Sequence, residues 1–363
     1  MSRVERVARV RARMGVLGVD ALLLSLGADL PWLTGYEAMP LERLTMLVLP
    51  ADGDATLVVP RLEAPRVEHD PSEFALRPWS ETEDPVEVVA GIVGGRGRLA
   101  VSDRTWATFV LQLQASLPAA SWQVASLVTG PLRAVKDPDE VVALRRAGAA
   151  ADRVAAAVVT GEVAMVGRTE AEVASDLHER LRAEGHTRIN FVIVGSGPNS
   201  ASPHHEPGGR RIGSGEAVVC DFGGTVDGYC SDTTRTVFTG PPPAEFRDLY
   251  AAVQRAQALA VEAAVVGTPC EDVDGVARRV IEEAGYGPQF VHRTGHGIGI
   301  EEHEDPYLVG GNCEALVAGH VFSIEPGIYV EGRWGVRIED IVVATASGPE
   351  PLNTVSHDLA IVA

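Results

Sequence analysis

The sequence predicts a two-domain α+β protein of 363 residues. Residues 1–132 alternate short apolar runs with helical stretches, which is typical of a small α/β domain. Residues 133–363 contain one order of elements twice: two helices, a connection that carries histidine, and a two-stranded hairpin that carries two acids. We therefore expect the second domain to consist of duplicated ααββ halves related by a pseudo-two-fold axis.

The N-terminal domain is predicted to begin with an amphipathic helix, because apolar residues recur at helical spacing between Val4 and Leu17. Strands are predicted at 21–25, 45–50, 55–60 and 99–102, and helical stretches at 62–69 and 84–92. The segment 129–140 is rich in proline, glycine and charge, which indicates a domain boundary.

Each half of the second domain shows helix starts and paired strands. Capping boxes are predicted at Asp137 with Glu140, at Thr169 with Glu172, and at Thr268 with Glu271. Strands are predicted at 190–195, 216–224 and 229–238 in the first half, and at 319–330 and 334–345 in the second half.

The predicted hairpins carry acids within apolar sequence, where a charged group needs a partner or a metal ion. These acids are Asp221, Asp232, Glu325 and Glu339. If the two halves pack about the pseudo-two-fold axis, the four carboxylates converge and repel one another. Together with His296 they are too many ligands for one tetrahedral zinc ion and suit two divalent ions that share carboxylates. Mn²⁺ is the first choice, with Co²⁺, Zn²⁺ or Fe²⁺ as alternatives.

Ordinary ion pairs are the alternative interpretation of two of these acids, since Arg235 lies close to Asp232 and Arg337 lies close to Glu339 in the sequence.

The overall composition argues against some classes of protein. A net charge of −19 argues against a nucleic-acid surface, and no apolar run approaches the roughly 20 residues that span a bilayer. The four cysteines are scattered, as expected for reduced thiols in a cytoplasmic protein.

Five segments resemble the creatinase/aminopeptidase ("pita-bread") family, metallopeptidase family M24, and most closely its Xaa-Pro aminopeptidase and Xaa-Pro dipeptidase (prolidase) branch. They are SASPHHEP (200–207), VVCDFGGTVDGYCSDTTRT (218–236), HRTGHGIGIEEHEDPY (292–307), IEPGIY (324–329) and GVRIED (335–340). The N-terminal domain is similar, less specifically, to the creatinase-type N-terminal domain. The resemblance implies a pita-bread catalytic domain and hydrolysis of proline-containing peptides.

The resemblance also implies a role for each candidate residue. Asp221 would chelate one ion, Asp232 and Glu339 would bridge both ions, and His296 and Glu325 would complete the second site. His204 and His303 match two catalytic histidines outside the ligand set, with His205 as the rival of His204, and Glu325 would also move the proton of the attacking water. The candidate substrate-binding residues are His292, Tyr229, Tyr307 and Arg337.

The implied activity is hydrolysis of the Xaa-Pro bond at the N-terminus of peptides, and an Xaa-Pro dipeptidase is the alternative. Some prolidases carry an arginine four residues after the second catalytic histidine, where it can pair with the carboxylate of a dipeptide. Tyr307 stands at that position here, which favours the aminopeptidase. A catalytically silent module that binds peptides is the alternative outside the enzymes, and the five filled ligand positions argue against it. A homodimer or larger homo-oligomer is expected.

Overall fold

The computed structural model describes residues 1 to 363 and divides into two compact units, Met1–Arg133 and Ala134–Ala363. No helix in either unit combines the length and the hydrophobicity needed to cross a membrane. The fold class is the α+β class that the sequence predicts.

The N-terminal unit is a six-stranded mixed sheet with helices. Its helices are α1 (Arg3–Leu17), α2 (Asp29–Thr34), α3 (Pro85–Val93), α4 (Ala107–Ser116) and α5 (Ser126–Ala134). Its strands are β1 (Ala21–Leu24), β2 (Met46–Pro50), β3 (Thr56–Pro60), β4 (Ala75–Trp79), β5 (Arg98–Val101) and β6 (Ser121–Val124), in the order β4-β3-β2-β1-β5-β6. Strands β1, β2 and β3 are fully or nearly fully buried, as expected for the centre of a sheet that is covered on both faces.

The predicted helical stretch at 62–69 is wrong, since this segment forms only a 3₁₀ turn at Ala64–Arg66. Pro60, Pro65 and Pro71 bracket it, and each proline removes a backbone donor and restricts the residue before it. Helices α2, α4 and α5 and strands β4 and β6 were not predicted. Strand β6, SWQV, is short and only partly buried, so it carries little of the apolar alternation that identifies a strand.

The C-terminal unit contains two helices followed by antiparallel strands, twice over. The first half contains α6 (Pro138–Val159), α7 (Glu170–Ala183), β7 (Arg188–Ser196), β8 (Ala217–Val226) and β9 (Tyr229–Thr239). The second half contains α8 (Ala244–Ala263), α9 (Cys270–Glu283), β10 (Gly295–Gly297), β11 (Glu304–Leu308), β12 (Val321–Ile324), β13 (Gly327–Val330), β14 (Trp334–Arg337), β15 (Asp340–Thr345), β16 (Gly348–Pro351) and β17 (Ala360–Val362). The sheet orders are β17-β9-β8-β7 and β11-β10-β12-β15-β16, with β13-β14 as a separate hairpin.

Each half has its own apolar core. Helices α6 and α7 pack on β8 and β9 through residues such as Val158, Leu177 and Phe222. Helices α8 and α9 pack on β12 and β14 through residues such as Leu249 and Phe322. Removal of this apolar surface from water holds each helix pair against the outer face of its sheet, which leaves the other faces to form the site described below.

Two of the three predicted capping boxes are confirmed. The Asp137 side chain accepts from the amides of Asp139 and Glu140, and Thr169 forms the same arrangement with Glu172. The box predicted at Thr268 is wrong, because Pro269 takes the cap position without a side-chain bond. The first amides of α9, at Cys270 and Glu271, donate instead to backbone carbonyls of residues 312–314.

The two long strands predicted in the second half each divide at a candidate ligand. One division falls at Glu325-Pro326, between β12 and β13, and the other at Ile338-Glu339, between β14 and β15. Proline has no amide to continue a ladder. The Glu325 amide donates to the Thr294 carbonyl at 2.8 Å, and the Glu339 amide donates to the Thr234 carbonyl at 3.2 Å. Both acids are therefore fixed by backbone bonds to elements outside their own hairpin.

A buried histidine predicts acid sensitivity of this unit. His320 is 2 % exposed, and burial, assisted by the charge of Lys136, lowers its pKa to about 4. An unfolded histidine titrates near 6.5, so the neutral side chain contributes stability above pH 6.5 that is lost as the pH falls towards 4. Between pH 7 and 4.5 the wild type should lose on the order of 2 kcal/mol more unfolding free energy than His320→Asn.

Urea unfolding in the presence of a chelator measures this difference without a contribution from metal release. Asparagine keeps an acceptor for the Val317 amide, which lies 3.4 Å from the His320 Nδ1. His178→Asn, at an exposed position on α7, is the matched control and should follow the wild type. An equal loss in the wild type and in His320→Asn would contradict the prediction.

Candidate metal centre

A cavity of about 480 Å³ lies entirely within the C-terminal unit. This volume is within the range of sites that bind small molecules. All five candidate ligands line it, together with four other candidate residues: Asp221, Asp232, His296, Glu325 and Glu339, then His204, His292, His303 and Arg337. The remaining lining residues are Phe191, Ile193, Pro203, Arg293 and Glu302.

The β8–β9 hairpin brings the two aspartates to one face of its sheet. Asp221 lies opposite Thr234, and Asp232 lies opposite Gly223, two residues along from Asp221. Because side chains alternate between faces, this register places both carboxylates on the same side. The turn at Asp227-Gly228 has positive φ at both residues (50° and 83°), which is the two-residue turn that fixes such a register.

His296 is held between two glycines where the second-half strands meet closely. A Cβ at Gly295 would lie 1.9 Å from the Ser323 carbonyl oxygen, and one at Gly297 would lie 2.2 Å from the Asp305 carbonyl oxygen. Any other residue at either position would push the neighbouring backbone away. The glycines of the GHG segment therefore allow β10 to bring His296 to the carboxylates.

Three of the carboxylates each have one buried oxygen with no hydrogen-bond partner: Asp221 Oδ1, Asp232 Oδ1 and Glu339 Oε1. The second oxygen of two of them is anchored. Asp221 Oδ2 accepts from Arg337 Nη2 at 2.5 Å, and Glu339 Oε2 accepts from Thr234 Oγ1 at 2.7 Å. An unpaired buried carboxylate oxygen is costly, so these three atoms are the expected positions for bonds to a cation.

The tautomer of His296 completes this arrangement. Its Nδ1–H donates to the Gly297 carbonyl at 3.1 Å, and burial lowers the pKa of the ring to about 3. The imidazole is therefore neutral, and the lone pair of Nε2 faces Glu325 Oε1 at 3.4 Å and Asp232 Oδ2 at 3.7 Å. A lone pair directed at carboxylate oxygens needs a cation between them, and this backbone bond at Nδ1 is the usual way of orienting a metal-binding histidine.

Mutual repulsion of the acids is visible in their pKa values. Burial raises the pKa of Asp232 well above its usual range, and the charges of Glu339, Asp221 and Glu325 add to this. Burial likewise raises the pKa of Glu339, assisted by Glu325 and Asp221. Burial raises the pKa of Glu325 to about 7, although Arg337 opposes it. The two arginines that line the cavity do not neutralise these four acids, and divalent cations would.

The donor set fits divalent metal ions on these observations. Donor atoms of Asp232, His296 and Glu339 lie within 4.8 Å of one another, and Glu325 reaches the same imidazole nitrogen. Asp221 extends the set on the side of Arg337. Four carboxylates and one imidazole match the preference of Mn²⁺ and similar ions for oxygen with some nitrogen.

Arg337 is the structural partner of Asp221 and does not face the cavity as a free cation. Besides Asp221, it donates to the Tyr329 hydroxyl at 2.7 Å and to Thr234 Oγ1 at 3.2 Å. The Tyr329 hydroxyl donates in turn to His292 Nε2 at 2.8 Å, and His292 Nδ1–H donates to the Arg293 carbonyl. This network fixes the orientation of Asp221 and occupies both ring nitrogens of His292, so His292 can offer a substrate only its ring surface.

The two adjacent histidines, His204 and His205, lie in different surroundings. His204 is exposed and lines the cavity. His205 Nε2 lies 2.8 Å from Glu170 Oε2, and the fully buried Glu170 also accepts from Ser196 and Asn199. His205 therefore helps to anchor the segment that presents His204. His303 lies beside the ligand His296, with the two ring centroids 4.0 Å apart.

Both candidate substrate-binding tyrosines, Tyr229 and Tyr307, lie outside the cavity lining. The Tyr229 hydroxyl donates to Glu140 Oε1 at 2.9 Å, which connects β9 to α6 and gives Tyr229 a structural role. Tyr307 lies directly opposite His296 in the β10–β11 pairing, and the guanidinium of Arg293 stacks on its ring, 4.5 Å from the centroid.

Three residues that support the site were not predicted from the sequence: Glu170, Arg293 and Tyr329. Arg293 stands between two histidines in the HRTGH segment, and Tyr329 closes IEPGIY two residues after Gly327, on the face that alternation assigns to the site. Both signals were present in the sequence. Glu170 had no such signal, because it lies in the first turn of α7, where an acid is already explained by helix capping.

Two family models match the chain. The model of metallopeptidase family M24 matches residues 142–346, and the model of the creatinase/prolidase N-terminal domain matches residues 6–135. Together they cover both compact units.

Individual proteins are similar over nearly the whole length. The probable dipeptidase PepE of Mycobacterium tuberculosis is 46% identical over 362 residues, which are 98% of this chain and 96% of that protein. The crystal structure of dipeptidase PepE from Mycobacterium ulcerans is 45% identical with a TM-score of 0.92, and covers 99% of this chain and 97% of its own. That of a recombinant prolidase from Thermococcus sibiricus is 36% identical with a TM-score of 0.93, and covers 100% and 99%.

Proposed function

The chain belongs to metallopeptidase family M24 and is a metallo-exopeptidase with the pita-bread fold, and from this premise we propose that it hydrolyses Xaa-Pro peptide bonds with two divalent ions bound by Asp221, Asp232, His296, Glu325 and Glu339. The relatives named above are dipeptidases and a prolidase. These names and the candidate metal site together support hydrolysis of Xaa-Pro peptides.

One observation carries the proposal. Three buried carboxylate oxygens without partners and the lone pair of a neutral His296 face the same cavity. In a binding module without metal this arrangement would destabilise the fold and serve no purpose. It is useful only where cations are to be bound.

The proposed division of labour follows from the contacts. Divalent ions, when bound, supply the Lewis acidity that activates water and polarises the scissile carbonyl. Glu325, 16 % exposed at the edge of the cluster, moves a proton from the attacking water towards the leaving nitrogen.

His204 and His303 are placed for the remaining tasks. Both line the cavity outside the ligand set, where an imidazole N–H can hydrogen-bond the oxyanion that develops on the scissile carbonyl or hold the substrate backbone. A proline nitrogen carries no N–H and its φ is fixed. Recognition of the ring therefore depends on shape, and Phe191 and Ile193 supply apolar surface in the same cavity.

Two substrate classes remain in competition. The names of the relatives, dipeptidase and prolidase, favour dipeptides, whereas Tyr307, in place of an arginine, favours longer peptides and the aminopeptidase activity. We propose dipeptides as the first substrate class and give the structural reason below. Mn²⁺ as the ion, a cytoplasmic location and a homo-oligomer remain proposals. The four free cysteines, three of them buried, are consistent with a reducing compartment.

Chelation followed by addition of single metals tests the proposal. We expect chelation to abolish cleavage of an Xaa-Pro dipeptide and addition of Mn²⁺ or Co²⁺ to restore it. Elemental analysis of the active protein should find two ions per chain. A matched Xaa-Ala dipeptide should be cleaved at least about tenfold more slowly, which corresponds to roughly 1.4 kcal/mol of discrimination.

Activity that survives removal of all bound metal would contradict the role of the five ligands. A metal-loaded protein that binds Xaa-Pro peptides without cleaving them would instead favour the silent binding module.

A further inference from the structure

Arg293 is the one arginine of the cavity lining whose guanidinium has no hydrogen-bond acceptor or carboxylate partner in the chain. The other lining arginine, Arg337, is fully engaged by Asp221, Tyr329 and Thr234. The guanidinium of Arg293 contacts only the face of the Tyr307 ring. A guanidinium offers five donors in a planar fork that matches a carboxylate, and Arg293 lines the cavity that holds the candidate ligands.

The position of Arg293 is well defined although its donors are free. The next residue, Thr294, donates to Asp274 Oδ1 from both its amide and its hydroxyl, at 3.0 and 2.8 Å, and its carbonyl accepts from the Glu325 amide. The Arg293 carbonyl accepts from His292. The backbone is therefore fixed on both sides, and Tyr307 supports the side chain from below.

Arg293 also lines the same cavity as the candidate ligands, as recognition of a dipeptide requires. Its support, Tyr307, is the direct cross-strand neighbour of His296, so the guanidinium borders the ligand cluster. In an Xaa-Pro dipeptide the free carboxylate lies within one residue of the scissile bond, which is about 3.8 Å. A cation that recognises this carboxylate must therefore line the same cavity as the ligands, as Arg293 does.

We propose that Arg293, supported by the ring of Tyr307, binds the free C-terminal carboxylate of the substrate and thereby selects dipeptides over longer peptides. This inference rests on the proposed Xaa-Pro hydrolysis and names its substrate class. It also gives Tyr307 a role, because the aromatic ring at this position provides the surface on which the Arg293 guanidinium stacks. The free carboxylate of a longer peptide lies at least one residue farther from the scissile bond, beyond this position.

The test compares an Xaa-Pro dipeptide with the same dipeptide as its C-terminal amide. We expect the metal-loaded wild type to prefer the acid by at least about tenfold in kcat/KM. Arg293→Gln should reduce that preference at least about tenfold, mainly through KM for the acid, and Arg293→Lys should retain part of it because lysine keeps the charge without the fork. Tyr307→Phe should keep the preference, and Tyr307→Ala should weaken it.

Arg333→Gln is the matched control, since Arg333 is an exposed arginine paired with Glu245 outside the cavity and should leave the ratio at the wild-type value. Inhibition by free proline, compared with prolinamide, gives a second readout: Arg293→Gln should lose the preference for proline. If Arg293→Gln does not fold, as judged by thermal unfolding, the lysine variant decides the question through the same ratio.

Equal cleavage of acid and amide by the wild type would overturn the role of Arg293 and leave Xaa-Pro hydrolysis standing. A loss of the same factor on both substrates in Arg293→Gln and Arg293→Lys would also overturn it, because it would place Arg293 in a step common to both. Cleavage of neither substrate by the metal-loaded wild type would contradict the proposed function itself.

Discussion

Asp232→Asn is expected to lower kcat/KM on Xaa-Pro substrates by at least about a thousandfold, or roughly 4 kcal/mol of transition-state stabilisation. Asp232 lies at the centre of the cluster, within 4.8 Å of donor atoms of both His296 and Glu339, and the proposed role of its carboxylate is to bridge the two ions. Asparagine preserves the shape and removes the charge. The fold should remain, because the pKa of Asp232 is raised by burial and by three neighbouring acids, so the metal-free protein gains nothing from that charge.

The same variant should therefore separate stability from activity. After chelation, the melting temperature of Asp232→Asn should equal or exceed that of the wild type, while its metal content falls. Asp227→Asn is the matched control, because Asp227 occupies the exposed turn of the same hairpin and asparagine tolerates its positive φ. Near-normal hydrolysis by Asp232→Asn would refute the dinuclear assignment.

Arg337→Met is expected to have the second large effect, on stability as well as on activity. Arg337 is 2 % exposed, and its removal leaves the buried Asp221 carboxylate without a counter-charge. Loss of one partner of a buried pair costs about 3–5 kcal/mol. The variant should also lose activity by roughly 10–100-fold or more, because Asp221 and the Tyr329 hydroxyl are no longer oriented.

The comparison of metal-free and metal-loaded protein makes this prediction specific. Bound cations would supply the positive charge that Asp221 has lost, so the stability difference between Arg337→Met and wild type should be largest after chelation and smaller with metal. Calorimetric unfolding in both states measures it. Arg168→Met serves as the control, since Arg168 pairs with Asp176 outside the cavity lining and both side chains are partly exposed. An identical destabilisation in both states would mean that Arg337 acts only as a packing residue.

Local rules allowed the first half of the C-terminal unit to be predicted closely. Capping residues such as Asp137 and Thr169 act within one helical turn, and β8 begins with a continuous apolar run. The second half was predicted less closely because the breaks in its strands depend on contacts with distant parts of the chain. Nothing local indicates that the chain leaves a strand at Glu339, because the break depends on a bond to Thr234, which lies more than a hundred residues earlier.

The site shows the same division. The acids and His296 stand out in the sequence because charge within apolar strands is unusual. The partners of these residues do not stand out, since an arginine such as Arg293 is ordinary until its lack of an acceptor is known. In the sequence, Tyr307 argues against a dipeptidase. Only the structure shows that the guanidinium of Arg293 stacks on the Tyr307 ring.

The bridge between Thr234 and Glu339 has a consequence for how the enzyme becomes active. Asp232 lies in the first half of the repeat and Glu339 lies in the second half. The carboxylates of the site therefore come from both halves. A nascent chain that ends before β10 contains Asp221 and Asp232 but none of His296, Glu325 and Glu339. Metal capture should therefore come late in biosynthesis, after the second half of the repeat has been made.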